Sequence, residues 1–237
     1  MVVHLRMNTT SNKDIAILMT PYVGGNDPEH KSCGDAATVE KKKKMTKTLS
    51  KHLMSFGYYV CISSHSRLDE ETQENCHAFL YDSHNCWQID GIPSTPYYGV
   101  AEMTATHNAI NYLESLGFKK FFKLCYDENP TLDYGKLIQK FDSYDKKLVT
   151  FKNSDTLGSM AYFCEIDFYR KTSSINEIYR LNNSLAIERM WFDSIQDKGL
   201  WNDVHGFGCY YDMLELDRNL PLHYSDMSNV RNDAYNF

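Results

Sequence analysis

Short unbroken apolar runs alternate with amphipathic stretches along most of this chain. The first run, IAILM at 15–19, has no polar side, as expected of a strand buried on both faces. It breaks at Thr20-Pro21-Tyr22 and passes into a loop containing Gly24-Gly25-Asn26-Asp27-Pro28. Over 39–56 the apolar positions Met45, Leu49, Leu53 and Phe56 recur at helical spacing, and Gly57 supplies a stop. YYVCI at 58–62 predicts a second strand ending in Ser63-Ser64-His65-Ser66, and 69–75 a short helix. HAFLY at 77–81 predicts a third strand, ending at Asp82-Ser83 and followed by a long polar loop, 84–96, that could serve as a flap. A helix follows over 99–116, with Val100, Met103, His107, Ile110 and Leu113 on one stripe and Gly117 closing it. The fourth strand, 120–126, lies in KFFKLCYDENP. Further on, 132–144 reads as helix, 147–151 and 160–169 as strands, and 175–195 as one or two helices. The leader before 15 reads as polar, and the tail from 199 shows no clear element.

Strand, helix, strand, short helix, strand, helix, strand is the order of an α/β domain with a mainly parallel sheet flanked by helices. Right-handed crossovers then bring the strand ends to one edge, where ligands of open α/β sheets bind. Thr20-Pro21-Tyr22, Ser63 to Ser66, Asp82-Ser83 and Asp127 to Asn129 all fall there. The polar strand ends therefore define the expected site.

Composition narrows the function classes. The 237 residues carry a formal charge of −6, which argues against a general nucleic-acid binder. One basic run, Lys41 to Lys44, fits a solvated helix flank or an anionic-ligand patch. The seven cysteines show no CxxC spacing and read as reduced thiols, so a cytoplasmic location is expected (host cytoplasm for a viral protein). No apolar run is long enough to span a membrane. There is no GxGxxG after the first strand, no P-loop and no GxSxG elbow.

Asp127, Glu128 and Asn129 place oxygen ligands where a buried strand ends, a pattern suited to Mg²⁺ or Mn²⁺ and equally to a β-turn. Ser63, Ser64 and His65 offer hydrogen bonds to a base or ribose, or a polar loop opening. Tyr22 could stack on a base or simply pack. Glu165 and Asp167, two apart on a strand, would share a face and could act as a general base, or mark a solvated face. Glu188 is a further acid candidate, and His205 a further candidate metal ligand.

The stretches ILMTPYVGG, GYYVCISSHSRLDEETQENCHAFLYDSHN, YYGVAEMTATHNAINYLESLGFKKFFKLCYDENP and YFCEIDFY together resemble a GT-A type glycosyltransferase. The chain is most similar to the small stand-alone glycosyltransferase-like proteins of bacteria, phages and large DNA viruses, over about residues 15–193. The resemblance implies one GT-A-like domain, 1–237, with a Rossmann-like sheet. Its nucleotide-sugar half would be about 15–130 and its acceptor half about 131–237. It implies nucleotide contacts at Thr20, Pro21 and Tyr22, base or ribose contacts at Ser63, Ser64 and His65, and a helix bearing Asn108-Ala109. With Asp82 at the third strand end, these make up the expected donor site. Asp127 would stand for an Asp-x-Asp metal motif, but Cys125 and Asn129 occupy the positions where a second acid belongs. The implied activity is sugar transfer from a nucleoside diphosphate sugar to a glycan acceptor, assisted by Mn²⁺ or Mg²⁺, with the base in CEID. A catalytically silent sugar-nucleotide-binding or scaffolding protein and a nucleotidyltransferase are the alternatives.

Overall fold

A computed structural model describes residues 2–5, 14–21, 36–82, 98–174 and 187–215. In chain order the elements are β1 (Val2–Leu5), β2 (Ile15–Met19), α1 (Ala36–Met54), β3 (Tyr59–Ser64), α2 (Glu70–Glu74), β4 (Ala78–Tyr81), α3 (Tyr98–Ser115) and β5 (Lys120–Leu124). They continue with α4 (Tyr134–Asp142), β6 (Leu148–Lys152), β7 (Leu157–Glu165), α5 (Ile166–Thr172), α6 (Ile187–Asp197), a short 3-10 turn (Trp201–Asp203), β8 (Val204–Phe207) and α7 (Tyr210–Leu214). One sheet takes eight strands in the order β1-β4-β3-β2-β5-β7-β6-β8. Strands β2 to β5 are mutually parallel, and β6 and β8 run with them. Only β1, at one edge, and β7, inside the sheet, run the other way. Strands from both halves of the chain thus enter a single sheet.

The alternation of each strand divides the core into two layers. Ile15, Ile17, Met19, Val60, Ile62 and Phe122 face α1, α4 and α7 through Leu49, Leu53, Ile138, Phe141 and Met213. Ala16, Leu18, Cys61 and Phe121 face α3, α5 and α6 through Ala109, Ile110, Tyr169 and Trp191. Because both faces are covered, the central strands β2 and β3 are buried along their whole length. Gly57 and Gly117 take φ of 73° and 92° just beyond α1 and α3, the left-handed conformation that ends a helix cheaply only with glycine.

Three expectations change. VVHL, read as part of a polar leader, pairs antiparallel with β4, a non-local contact that local composition does not announce. The strand expected at 160–169 begins at Leu157 and ends at Glu165, where the backbone turns into α5. Asp167 is therefore helical, and the two acids do not share a strand face. The tail supplies β8 and α7. The expected flap at 84–96, Tyr22 and Ser83 lie outside the described residues. No helix among the described residues is long and apolar enough to cross a membrane.

Candidate functional site

β2 sits between β3 and β5, so successive crossovers leave it in opposite directions, and the crevice at its carboxyl end is the switch point of the sheet. Met19 is in register with both Ile62 and Leu124, so the next residues, Thr20, Ser63 and Cys125, form a row across the rim. Alternation continued from Leu18, Cys61 and Phe121 turns all three toward α3. The Thr20 amide donates to Leu124 O at 3.2 Å, but its hydroxyl is buried without a partner among the described residues.

To one side of Thr20 the predicted donor-site residues join in a network. Ser64 Oγ donates to Pro21 O at 3.2 Å and accepts from the Ser66 amide at 3.0 Å. His65 Nδ1 lies 3.1 Å from Asp82 O as donor, and Asn108 Nδ2 donates to Asp82 Oδ2 at 3.0 Å. Three strand ends and one helix thus converge: Thr20 and Pro21 from β2, Ser63 to His65 from β3, Asp82 from β4 and Asn108 from α3.

To the other side lies the end of β5. Asp127 is half-buried in a turn, and Glu128 beside it is 5% exposed. Asn129 builds that turn: its Oδ1 accepts from Thr131 N at 2.9 Å and Thr131 Oγ1 at 2.7 Å, and its carbonyl accepts from Tyr134 Oη at 2.8 Å. Its side-chain oxygen is thus engaged twice within the turn. Tyr126 packs against Met45, and Lys42 Nζ stands 5.7 Å from the centre of its ring. The basic run of α1 therefore overhangs the strand end that carries Asp127.

The sequence reading missed Lys123, which is fully buried in the middle of β5. Its ammonium donates to a carboxylate oxygen of Glu102, to Cys125 Sγ at 3.2 Å and to Ser159 O at 2.5 Å. Burial alone would drive this ammonium toward neutrality; the Cys125 sulfur and the Glu102 carboxylate reverse that and hold its pKa above the ordinary value. Burial likewise pushes the Cys125 thiol up, and the nearby Lys123 only partly opposes it. Ser159 is the third residue of β7, and because β7 runs backwards its first residues, not its last, reach the carboxyl rim. Ser159 Oγ donates to Glu188 Oε1 at 2.5 Å, which brings the first turn of α6 to the same rim. Beside it, Tyr210 Oη accepts from the Met160 amide at 3.3 Å while its ring stacks on Phe151 at 4.7 Å. A lysine inside a run as apolar as KFFKL was the available signal, since such a charge requires a partner.

Other predicted residues lie elsewhere. Glu165 is in register with Lys120, at the start of β5, roughly 13 Å from its Leu124 end at about 3.3 Å per residue. Asp167, beyond it on α5, is exposed. Neither belongs to the rim, because β7 is antiparallel. His205 is on edge strand β8, three strands from β5, roughly 14 Å at about 4.8 Å per strand. There it stacks on Tyr144 at 4.0 Å, and burial, then Lys146 and Lys140, lowers its pKa. It packs, and Asp127 is beyond its reach.

The fold and the rim define an α/β protein with polar residues gathered across the carboxyl ends of its central strands. No family model and no curated protein matches the chain. Among solved structures it is similar to a candidate nucleotide-diphospho-sugar transferase from Desulfovibrio desulfuricans G20, at 12% identity and TM-score 0.46, covering 94% of this chain and 96% of that one. A cytidylyltransferase from Leptospira borgpetersenii is similar at 12% identity and TM-score 0.46, covering 86% and 80%. A glycosyltransferase involved in glycosylation of the major capsid of PBCV-1 is similar at 10% identity and TM-score 0.42, covering 93% and 98%. All three likenesses are remote, so the functional reading rests on the residues of this chain.

Proposed function

We propose that this protein transfers a sugar from a nucleoside diphosphate sugar to a glycan acceptor. The observation that carries the reading is the set of polar groups at neighbouring strand ends: Asp82 with Asn108, Ser63, Thr20, Asp127, and Glu188 held by Ser159. The set crosses four strand spacings, roughly 19 Å at about 4.8 Å each. His65, Ser63, Ser64, Asp82 and Asn108 would take the base and ribose. Thr20, with Pro21, would meet the diphosphate, and the unsatisfied hydroxyl of Thr20 is a donor waiting there. Tyr22 would continue that contact.

Among the described residues no group of three or more His, Cys, Asp or Glu side chains could hold a metal ion alone. Asp127, with Glu128 beside it, fits the other common arrangement, in which Mg²⁺ or Mn²⁺ is shared between one or two carboxylates and substrate phosphates. When bound there, the ion would neutralise charge on the departing diphosphate. Glu188 is the base this reading assigns: its half-buried carboxylate, oriented by Ser159, would accept the proton of the acceptor hydroxyl. The acceptor oxygen then bonds to the anomeric carbon as the bond to the diphosphate breaks, and the nucleoside diphosphate leaves with the electron pair. The acceptor would approach from the side built by residues after 131.

A donor screen that detects released nucleoside diphosphate tests the reading directly. Turnover of at least one donor, lost in Asp127→Ala together with metal-dependent binding in calorimetry, is the expected result. Binding without turnover would favour a silent sugar-nucleotide binder, and release of pyrophosphate from a nucleoside triphosphate would favour nucleotidyl transfer. If no nucleoside diphosphate binds at any metal concentration, the reading fails.

A further inference from the structure

A lysine buried in the centre of a sheet is an expensive choice, since an apolar side chain of similar length would fill the same space without desolvating a charge. Lys123 is 0% exposed, with Phe121, Phe122 and Leu124 around it in the strand. What its ammonium adds is direction. Its three donors meet acceptors on three elements: the Glu102 carboxylate on α3, Cys125 Sγ just past β5, and Ser159 O on β7. The carbonyl it grips belongs to the residue whose hydroxyl holds Glu188. Glu102 directly, and Glu188 only through Ser159, are thereby linked to a single cation.

Resting on the function proposed above, we propose that Lys123 is a positioning residue that sets the orientation of Glu188 through Ser159. Lys123 touches no substrate. Its ammonium pins the first residues of β7 to β5 at the rim, so the Ser159 hydroxyl points at Glu188 Oε1 and holds the carboxylate in one orientation. Glu102 is the counter-charge that lets the ammonium stay buried.

The full-length chain tests this with Lys123→Met, with the pair Lys123→Met/Glu102→Leu, and with Ser159→Ala. Lys123→Met alone leaves Glu102 without its cation and is expected to melt well below wild type; the pair removes both charges and is expected to recover most of that loss. Donor turnover in the pair should nevertheless stay at least about tenfold down in kcat, with donor KM within about twofold, as for loss of a group that acts in the transition state. A second readout needs no activity. In protein labelled with ¹³C-glutamate, the Glu188 carboxyl resonance, assigned by its disappearance in Glu188→Gln, should move in the pair as it moves in Ser159→Ala. Recovery of kcat together with melting temperature would reduce Lys123–Glu102 to a structural ion pair and overturn the proposal, as would a Glu188 resonance unchanged in the pair. If the wild type turns over no nucleoside diphosphate sugar, the function reading fails, and the resonance alone decides the positioning role.

Discussion

Replacing Thr20 by valine separates what the rim costs the free protein from what it gives a ligand. The side chain is 7% exposed, and its hydroxyl has no partner among the described residues. A buried hydroxyl left unsatisfied costs about 1–3 kcal/mol. Valine keeps the branched shape and removes only that group. The ligand-free variant should therefore gain stability up to that amount, each kcal/mol raising the melting temperature by about 2–4 °C in a domain of this size. Binding should change in the opposite sense. If the hydroxyl meets the diphosphate, its loss removes a hydrogen bond worth about 0.5–1.5 kcal/mol net. Affinity should fall by at least roughly 2- to 12-fold, since about 1.4 kcal/mol is tenfold and binding also relieves the burial cost of the hydroxyl. Differential scanning calorimetry without ligand and titration calorimetry with nucleoside diphosphates read the two effects separately. A variant less stable than wild type without ligand would show that the hydroxyl is satisfied within the protein. A more stable variant with unchanged affinity would remove Thr20 from the diphosphate.

Gly158→Ala is expected to destabilise by about 1–3 kcal/mol through overpacking, because an added Cβ would overlap Tyr210 Oη and lie 2.8 Å from Tyr210 Cζ and 3.0 Å from Phe151 Cβ. Thermal melts read the loss, and a wild-type melting temperature would show that Tyr210 swings aside freely. His205→Gln should leave metal-dependent nucleotide binding unchanged in calorimetry, since the ring packs on Tyr144 far from Asp127. Asp167→Asn should keep donor turnover within about twofold, an exposed surface change away from the rim; a larger loss would return the catalytic base to CEID.

The parallel core was legible because its strands are buried on both faces and so write continuous apolar runs. IAILM is β2 residue for residue, and β3, β4 and β5 begin within a residue or two of their expected starts. Asp69 caps α2 where the short helix was expected, its carboxylate accepting from Thr72 N at 2.7 Å. What the sequence hid was direction. Nothing in YFCEIDFY says that β7 runs backwards, and that reversal takes Glu165 to the far edge while carrying Ser159 to the rim. Lys123 was visible but was absorbed into an apolar run, and its partner Glu102 lies on another element, so only the fold joins them. Glu188 looked like an ordinary helical acid until Ser159 came within 2.5 Å of it.

Under the proposed function, the reversed strand also sets where this protein could change its substrate range. Residues 153–156 link β6 to β7 at the rim, exposed for most of their length and closed by the Asn153 amide on Thr156 O at 2.9 Å. Arg189, next to Glu188, ties down Asp155 of the same turn at 2.7 Å. A hairpin tip tolerates insertions far better than a crossover helix does, because lengthening it cuts no ladder bond and displaces no core side chain. Libraries of altered length and sequence at 153–156 would therefore vary the surroundings of Glu188 while leaving Thr20, Ser63 and Asp82 intact. If the protein transfers a sugar as proposed, that hairpin is the natural first target for redirecting it to a new acceptor.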